Sequence, residues 1–117
     1  MKAINVARLR RAMACSNQVN ALYELVGDED APLTIEFAIE HATVFAWDWA
    51  AYQFLSYDGC TEYRADCKSF REHYENECDS VRMLDIDSDL RYKMYKPLAD
   101  HFNRSRAVLF ATIYLRG

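Results

Sequence analysis

The chain has 117 residues, a formal net charge of −4, and 51% hydrophobic and 14% aromatic residues. This length predicts a single domain over residues 1–117, because independent domains commonly have about 100 to 150 residues. The chain has only three glycines and two prolines, which leaves little material for hairpins, sandwiches or disordered linkers, so the composition favours an all-α fold.

The first predicted helix covers about residues 5–26. Asn5 is a suitable N-cap, and apolar residues from Leu9 to Val26 recur at three- and four-residue spacing. Gly27 follows the last apolar residue of the pattern, and glycine commonly ends a helix at this position.

The second predicted helix runs from a cap at Asp30 or Thr34 to about Tyr57. Its residues 42–57 hold both tryptophans and four other aromatic residues around one carboxylate, Asp48. Because apolar residues occur on nearly every side, we expect this helix to be buried at the centre of a four-to-five-helix bundle. Its apolar run is shorter than the roughly 18 to 20 residues of a membrane span, so we expect no membrane contact.

Asp48 is the residue of this segment with the most distinctive chemistry. A buried carboxylate must be paired or must have a raised pKa, since an isolated buried charge is very costly. We favour a structural role, with the carboxylate satisfied by an Arg, Tyr or Trp of a neighbouring helix. His41 is about 10 Å away along a helix, too far for direct contact. A ligand-binding or catalytic pocket around Asp48 is a distant alternative.

The second half of the chain has the clearest helical pattern. Asp58 and Gly59 are expected to end the second helix, and an apolar seam from Cys60 to Leu84 then predicts a third. Residues 85–89 are expected to form a loop that ends in an N-cap, and Pro97 is expected to kink or split the last helix. Residues 108–115 are rich in strand formers, so an α+β fold with a C-terminal strand is the alternative. The expected core includes Leu22, Phe45, Trp47, Phe54, Cys67, Phe70, Tyr74 and Leu109.

No pattern in the sequence predicts a metal ion or a cofactor. Cys60, Cys67 and Cys78 lie on the apolar seam, and the first two would be about 10 Å apart on a helix, too far for a disulfide. We therefore expect reduced core cysteines, as in a cytoplasmic protein. The aspartates at 85–89 lack the glycine and glutamate of a calcium loop. Glu-x-x-His pairs and glycine-rich phosphate loops are also missing.

Charge is distributed unevenly, and this distribution is the main functional signal. Residues 1–27 sum to +3 and residues 90–117 to +5, whereas residues 28–89 sum to −12. With no catalytic motif, these features favour a small non-enzymatic regulator or inhibitor, of a kind typical of phage and mobile-element accessory proteins. It would bind a protein with a basic surface through aromatic anchors and an acidic flank. The expected partner-binding residues are Glu62, Asp66, Glu72 and Glu75.

The alternative function is a regulator that binds nucleic acid through its basic ends. This hypothesis requires the first and last helices to be adjacent, so that their arginines form one positive face. The residues concerned are Arg8, Arg10, Arg11, Arg104 and Arg106.

Overall fold

The computed structural model describes residues 3–117, which form six α-helices and no strand. The predicted all-α fold is therefore confirmed. The helices are α1 (Val6–Arg11), α2 (Ser16–Val26), α3 (Ile35–Glu40), α4 (Trp47–Phe54), α5 (Tyr57–Arg82) and α6 (Ser88–Arg116). The alternative with a C-terminal strand is wrong, because residues 108–115 lie inside α6. Among the described helices, none has the length and apolarity needed to cross a membrane.

The first predicted helix is interrupted between α1 and α2. Asn5 caps α1 as expected, since its side chain accepts a hydrogen bond from the Arg8 backbone N–H. The chain then leaves the helix at Met13, which has a φ of 61°. The N–H groups of Met13 and Ala14 donate to Arg10 O and Leu9 O, which is the Schellman pattern of a helix C-terminus. Gly27, also with a φ of 61°, follows the end of α2 as expected.

The second predicted helix is also divided, into α3 and α4. Thr34 caps α3 as expected, but residues 41–46 form turns instead of a helix. The Gln18 side chain of α2 holds this segment, because it donates to Val44 O and accepts from Ala46 N–H. The Trp47 indole N–H also donates to Ala42 O at 3.0 Å. These side chains satisfy backbone groups that a continuous helix would have paired internally.

Helix α4 ends at Phe54, earlier than expected, and Ser56 caps α5. The expected break at Asp58 and Gly59 is wrong, since both residues lie in the first turn of α5. Gly59 is buried because α6 approaches it closely: a Cβ atom there would lie 3.0 Å from Ile113 Cγ2. This glycine therefore serves packing and does not break the helix.

The central helix of the fold is α6, and the prediction that the aromatic-rich segment is central is wrong. Helix α6 packs against α3, α4 and α5. Asp87 caps α6, so the helix begins two residues before the end of the loop expected over residues 85–89. Helix α6 then continues through Pro97 without splitting. Of the expected core, Leu22, Trp47 and Cys67 are buried, while Phe45, Phe54, Phe70 and Leu109 are half-buried against them. Tyr74 is half-buried and stacks on Phe102 of α6.

Helices α5 and α6 are antiparallel, and burial is concentrated at one end of the pair. Between Lys68 and Arg106, Val81 is the only buried residue. We call residues 70–105 the arm and the remainder the body. The described residues extend over 50 × 31 × 24 Å with a radius of gyration of 16.1 Å, whereas a compact chain of this length has about 13 Å. The arm accounts for this elongation.

Candidate functional site

The Asp48 carboxylate joins three helices. It lies in the first turn of α4, where it accepts a 2.7 Å hydrogen bond from the Tyr63 hydroxyl of α5. Its other oxygen accepts from Arg106 Nη1 of α6 at 3.1 Å. The expected arginine and tyrosine partners are therefore present. The expected burial of Asp48 is wrong, however, since its side chain is 54% exposed.

Tyr63 and Cys67 supply the buried part of this cluster. Burial, followed by the hydrogen bond to Asp48, raises the pKa of Tyr63 far above its ordinary value, so the hydroxyl remains a proton donor. Burial also raises the pKa of the Cys67 thiol. A tyrosine and a cysteine that retain their protons are poor bases and poor nucleophiles at neutral pH. The cluster therefore connects α4, α5 and α6, and the Tyr63 hydroxyl and the Cys67 thiol keep their protons.

Arg106 is held from several sides. Besides its ion pair with Asp48, its Nη2 donates to Asn103 Oδ1 at 2.6 Å, and its guanidinium carbon lies 4.6 Å from the ring centroid of Phe102. The side chain is 23% exposed. One member of the arginine set predicted to bind nucleic acid is thus neutralised by a carboxylate and largely covered.

The other four arginines of that set lie in separate environments. Arg8 is half-buried: its Nη1 donates to Ala3 O, and its guanidinium carbon is 4.5 Å from the Phe54 ring centroid. Arg10 and Arg11 are exposed at the end of α1, and Arg104 is exposed on α6. Helix α1 packs on α2, with no close backbone contact to α6 within the described residues. The two helices are nevertheless adjacent through side chains, since burial raises the pKa of the Tyr114 hydroxyl of α6 and the nearby charge of Arg8 partly opposes this rise. The five arginines do not share one exposed face, because Arg106 is paired with Asp48 and Arg8 is half-buried.

The four predicted partner-binding acids all lie on the solvent-facing side of α5. Glu62 accepts a 2.8 Å bond from Arg116 Nη2 of α6, which ties the ends of the two helices together. Asp66, Glu72 and Glu75 are exposed and make no ion pair within residues 3–117. Successive residues are rotated by about 100° about the helix axis, so Glu62 and Asp66 lie on one side of α5. Relative to Glu62, Glu72 is rotated by about 80° and Glu75 by about 140° in the opposite direction from Asp66. The acids thus surround the outer surface of α5.

The end of the arm combines apolar side chains with acidic ones. Met83 is 85% exposed, and Leu84 and Leu90 are 43% and 45% exposed. Residues 75–91 contain six acids and two bases, a net charge of −4. We call residues 75–91 the arm tip. Sequence reasoning places Leu84 in the apolar seam and the aspartates at 85–89 in a capping loop, and it gives Met83 no role, so it does not identify the arm tip as a unit.

The loop at the arm tip is fixed by Arg91. Its Nη2 donates to Leu84 O at 3.0 Å and to Ile86 O at 3.4 Å. The Asp87 side chain accepts from Leu90 N–H at 2.8 Å, and Arg82 pairs with Asp79 at 2.7 Å. These hydrogen bonds fix the conformation of the loop backbone.

Cysteines and acids do not form a metal site in the described part of the chain. The four cysteines are free thiols: Cys67 is buried, Cys60 and Cys78 are half-buried, and Cys15 is exposed. Across residues 3–117, no three His, Cys, Asp or Glu side chains converge in a way that could hold a metal ion.

No protein-family model, curated protein or solved structure matches this chain.

Proposed function

We propose that this protein is a small protein-binding regulator or inhibitor that works in the cytoplasm and engages a partner with a basic surface through its arm. The observation that carries the proposal is the arm tip, where exposed apolar side chains are surrounded by acids on an ordered loop. The free thiols agree with a reducing compartment.

The apolar residues of the arm tip would supply most of the affinity. Exposed apolar groups enclosed by polar ones are typical of protein-binding surfaces. Met83 is well suited to this role because its flexible side chain adapts to an irregular surface. A few such anchors usually dominate the binding energy of an interface.

The acids of α5 would accelerate encounter with a basic partner. Complementary charge mainly raises the association rate and orients the two proteins. Asp66, Glu72 and Glu75 are the exposed members available for this purpose, whereas Glu62 is engaged by Arg116. The acids of the arm tip would extend the same field to the anchors.

Affinity capture from the native cell tests the proposal. The wild-type protein should retain a specific protein partner, and Met83→Ser, Leu84→Ser and Leu90→Ser together should abolish its retention. The matched control is Met13→Ser, Leu25→Ser and Ile39→Ser, because these residues are exposed to 88%, 43% and 43% on the body. The control variant should retain the partner as the wild type does.

A kinetic measurement on the captured pair tests the role of charge. Asp66→Lys, Glu72→Lys and Glu75→Lys together should slow association by about tenfold at low salt and much less at high salt. Reversal of Glu24, Asp28 and Glu29, which are exposed on the body, should have a smaller effect.

In the affinity-capture experiment, equal loss of the partner by both serine variants would contradict the assignment of binding to the arm.

A further inference from the structure

Three cations form a straight row on α5, outside the Asp48 cluster and outside the arm tip. Arg64, Lys68 and Arg71 are spaced at i, i+4 and i+7, so they share one face of the helix. All three are exposed, and none makes an ion pair within residues 3–117. The row spans about 10 Å along the helix axis.

The row borders an open groove of about 600 Å³ between α4 and α5. Asp48 and Tyr52 of α4 form the opposite side, and Tyr63 and Cys67 contribute to the lining. The Asp48 carboxylate is paired with Arg106 at 3.1 Å, so it does not neutralise the row. The charged residues that line the groove are therefore three cations and one ion-paired carboxylate, although the whole protein has a net charge of −4.

Two exposed tyrosines accompany the cations. Tyr52 is 74% exposed at the groove, and Tyr57 is 87% exposed at the start of α5. Tyr57 lies seven residues before Arg64, and Arg64 lies seven residues before Arg71, so the three residues fall nearly on one line. Rings this accessible bury little of their apolar surface and are free to stack against a ligand.

We propose that the groove between α4 and α5 binds single-stranded nucleic acid, with Arg64, Lys68 and Arg71 contacting successive phosphates and Tyr52 and Tyr57 stacking on bases. A positive groove with aromatic platforms is the usual design for binding single strands without sequence preference. Bases in a duplex are already stacked and would not be available to the two tyrosines. An acidic peptide would use the cations but would leave the ring faces unused.

Fluorescence anisotropy with labelled 15-nucleotide oligothymidylate and oligouridylate tests this proposal with the full chain. Arg64→Ser, Lys68→Ser and Arg71→Ser together should weaken binding of both probes by about tenfold or more at low salt. The slope of log affinity against log salt should become less steep by about 2, since each single-strand phosphate contact contributes about 0.7.

The control variant removes the same charge elsewhere. Arg10→Ser, Arg11→Ser and Arg104→Ser should change affinity by less than about threefold, because these residues are exposed outside the groove. Tyr52→Ala and Tyr57→Ala should each weaken binding by about fivefold or more, whereas Tyr→Phe at the same positions should restore it because phenylalanine also stacks. Circular dichroism shows whether each variant is folded. If the triple serine variant is not folded, the single Tyr→Ala and Tyr→Phe pairs decide the question.

Three results would overturn the proposal. They are the absence of oligonucleotide binding by the wild type at low salt, an equal loss of affinity in the Arg10, Arg11 and Arg104 variant, and equally tight binding of a 15-residue polyglutamate. None of these results bears on the arm tip, so a failure here is distinguishable from a failure of the proposed protein-binding function.

Discussion

At Asp48, the hydrogen bond to Tyr63 matters more for stability than the ion pair with Arg106. The Asp48 side chain is 54% exposed, and ion pairs in such positions contribute about 0 to 1 kcal/mol. Tyr63 is only 2% exposed with Asp48 in place, so its hydroxyl depends on the Asp48 carboxylate for its acceptor. An unsatisfied buried donor costs about 1 to 3 kcal/mol.

Asp48→Ala should therefore destabilise the protein by about 2 kcal/mol, with Asp48→Asn costing less because the amide oxygen still accepts from Tyr63. Urea unfolding monitored by circular dichroism measures both. A double-mutant cycle with Tyr63→Phe should show that the two changes are coupled, since they remove the same hydrogen bond. Additive effects would show that Asp48 acts mainly through Arg106.

Stability should fall at alkaline pH. The pKa values of Tyr63 and Cys67 are raised in the folded state, mainly by burial, from ordinary values of about 10 and 9. Above about pH 9 the unfolded chain therefore releases protons that the folded protein retains, which favours unfolding by about 1.4 kcal/mol per pH unit for each retained proton. Urea unfolding between pH 7 and pH 11 measures this slope.

The matched variants for the pH experiment are two Tyr→Phe changes. Tyr63→Phe should make the slope above pH 10 shallower because it removes one retained proton. Tyr52→Phe is the control for the loss of a tyrosine hydroxyl at the surface, since Tyr52 is 74% exposed. Equal slopes in all three proteins would mean that Tyr63 titrates as an exposed tyrosine does.

At the level of the elements, the boundary between α1 and α2 stores backbone strain at Met13. A left-handed conformation costs a side-chain-bearing residue about 1 to 2 kcal/mol and costs glycine almost nothing. Met13 is 88% exposed, so its side chain returns little packing energy. Met13→Gly should accordingly stabilise the protein by about 1 kcal/mol, measured as a shift in the urea midpoint.

Met83 provides the control for Met13. It is also an exposed methionine at a helix C-terminus, but its φ is −77°. Glycine there relieves no strain and increases the entropy of the unfolded chain, so Met83→Gly should destabilise by about 0.5 to 1 kcal/mol. Stabilisation by both substitutions, or by neither, would contradict the assignment of strain to Met13.

Features of the elements that depend on neighbouring residues were predictable from the sequence. The cap at Asn5 was identified, and Thr34 was one of two candidates for the next cap, because a short polar side chain needs only the next turn of backbone. A cap was expected at the end of residues 85–89, and Asp87 supplies it two residues earlier. The apolar seam of α5 was identified because its spacing repeats over many turns.

The features that sequence reasoning missed depend on distant partners. Residues 41–46 leave the helix because the Gln18 side chain hydrogen-bonds to the backbone of Val44 and Ala46. These two residues follow Gln18 by 26 and 28 positions in the chain. The Asp48 cluster depends on Tyr63 and Arg106, 15 and 58 residues away. The break at Met13 has no glycine or proline to mark it, so neither composition nor periodicity indicates it.

Across the whole molecule, stability should be distributed as unevenly as burial. The body holds all of the buried core residues except Val81. Local opening costs least where few apolar contacts are lost, so the amides of residues 75–95 should exchange with solvent faster than those of residues 59–67 and 107–114. Hydrogen exchange measured by mass spectrometry resolves these segments. Uniform protection along α5 and α6 would show that the arm unfolds only together with the body.

The concentration of burial in the body has a consequence for how this protein can vary. Because the arm contributes one buried residue, its length is nearly independent of the interactions that fold the chain. Seven residues are close to two helical turns, so removing seven from each arm helix would shorten the arm by about 10 Å and rotate the tip by only about 20° per helix. The distance from the body at which a partner is held is therefore a quantity that short, paired deletions or insertions can adjust while the body remains unchanged.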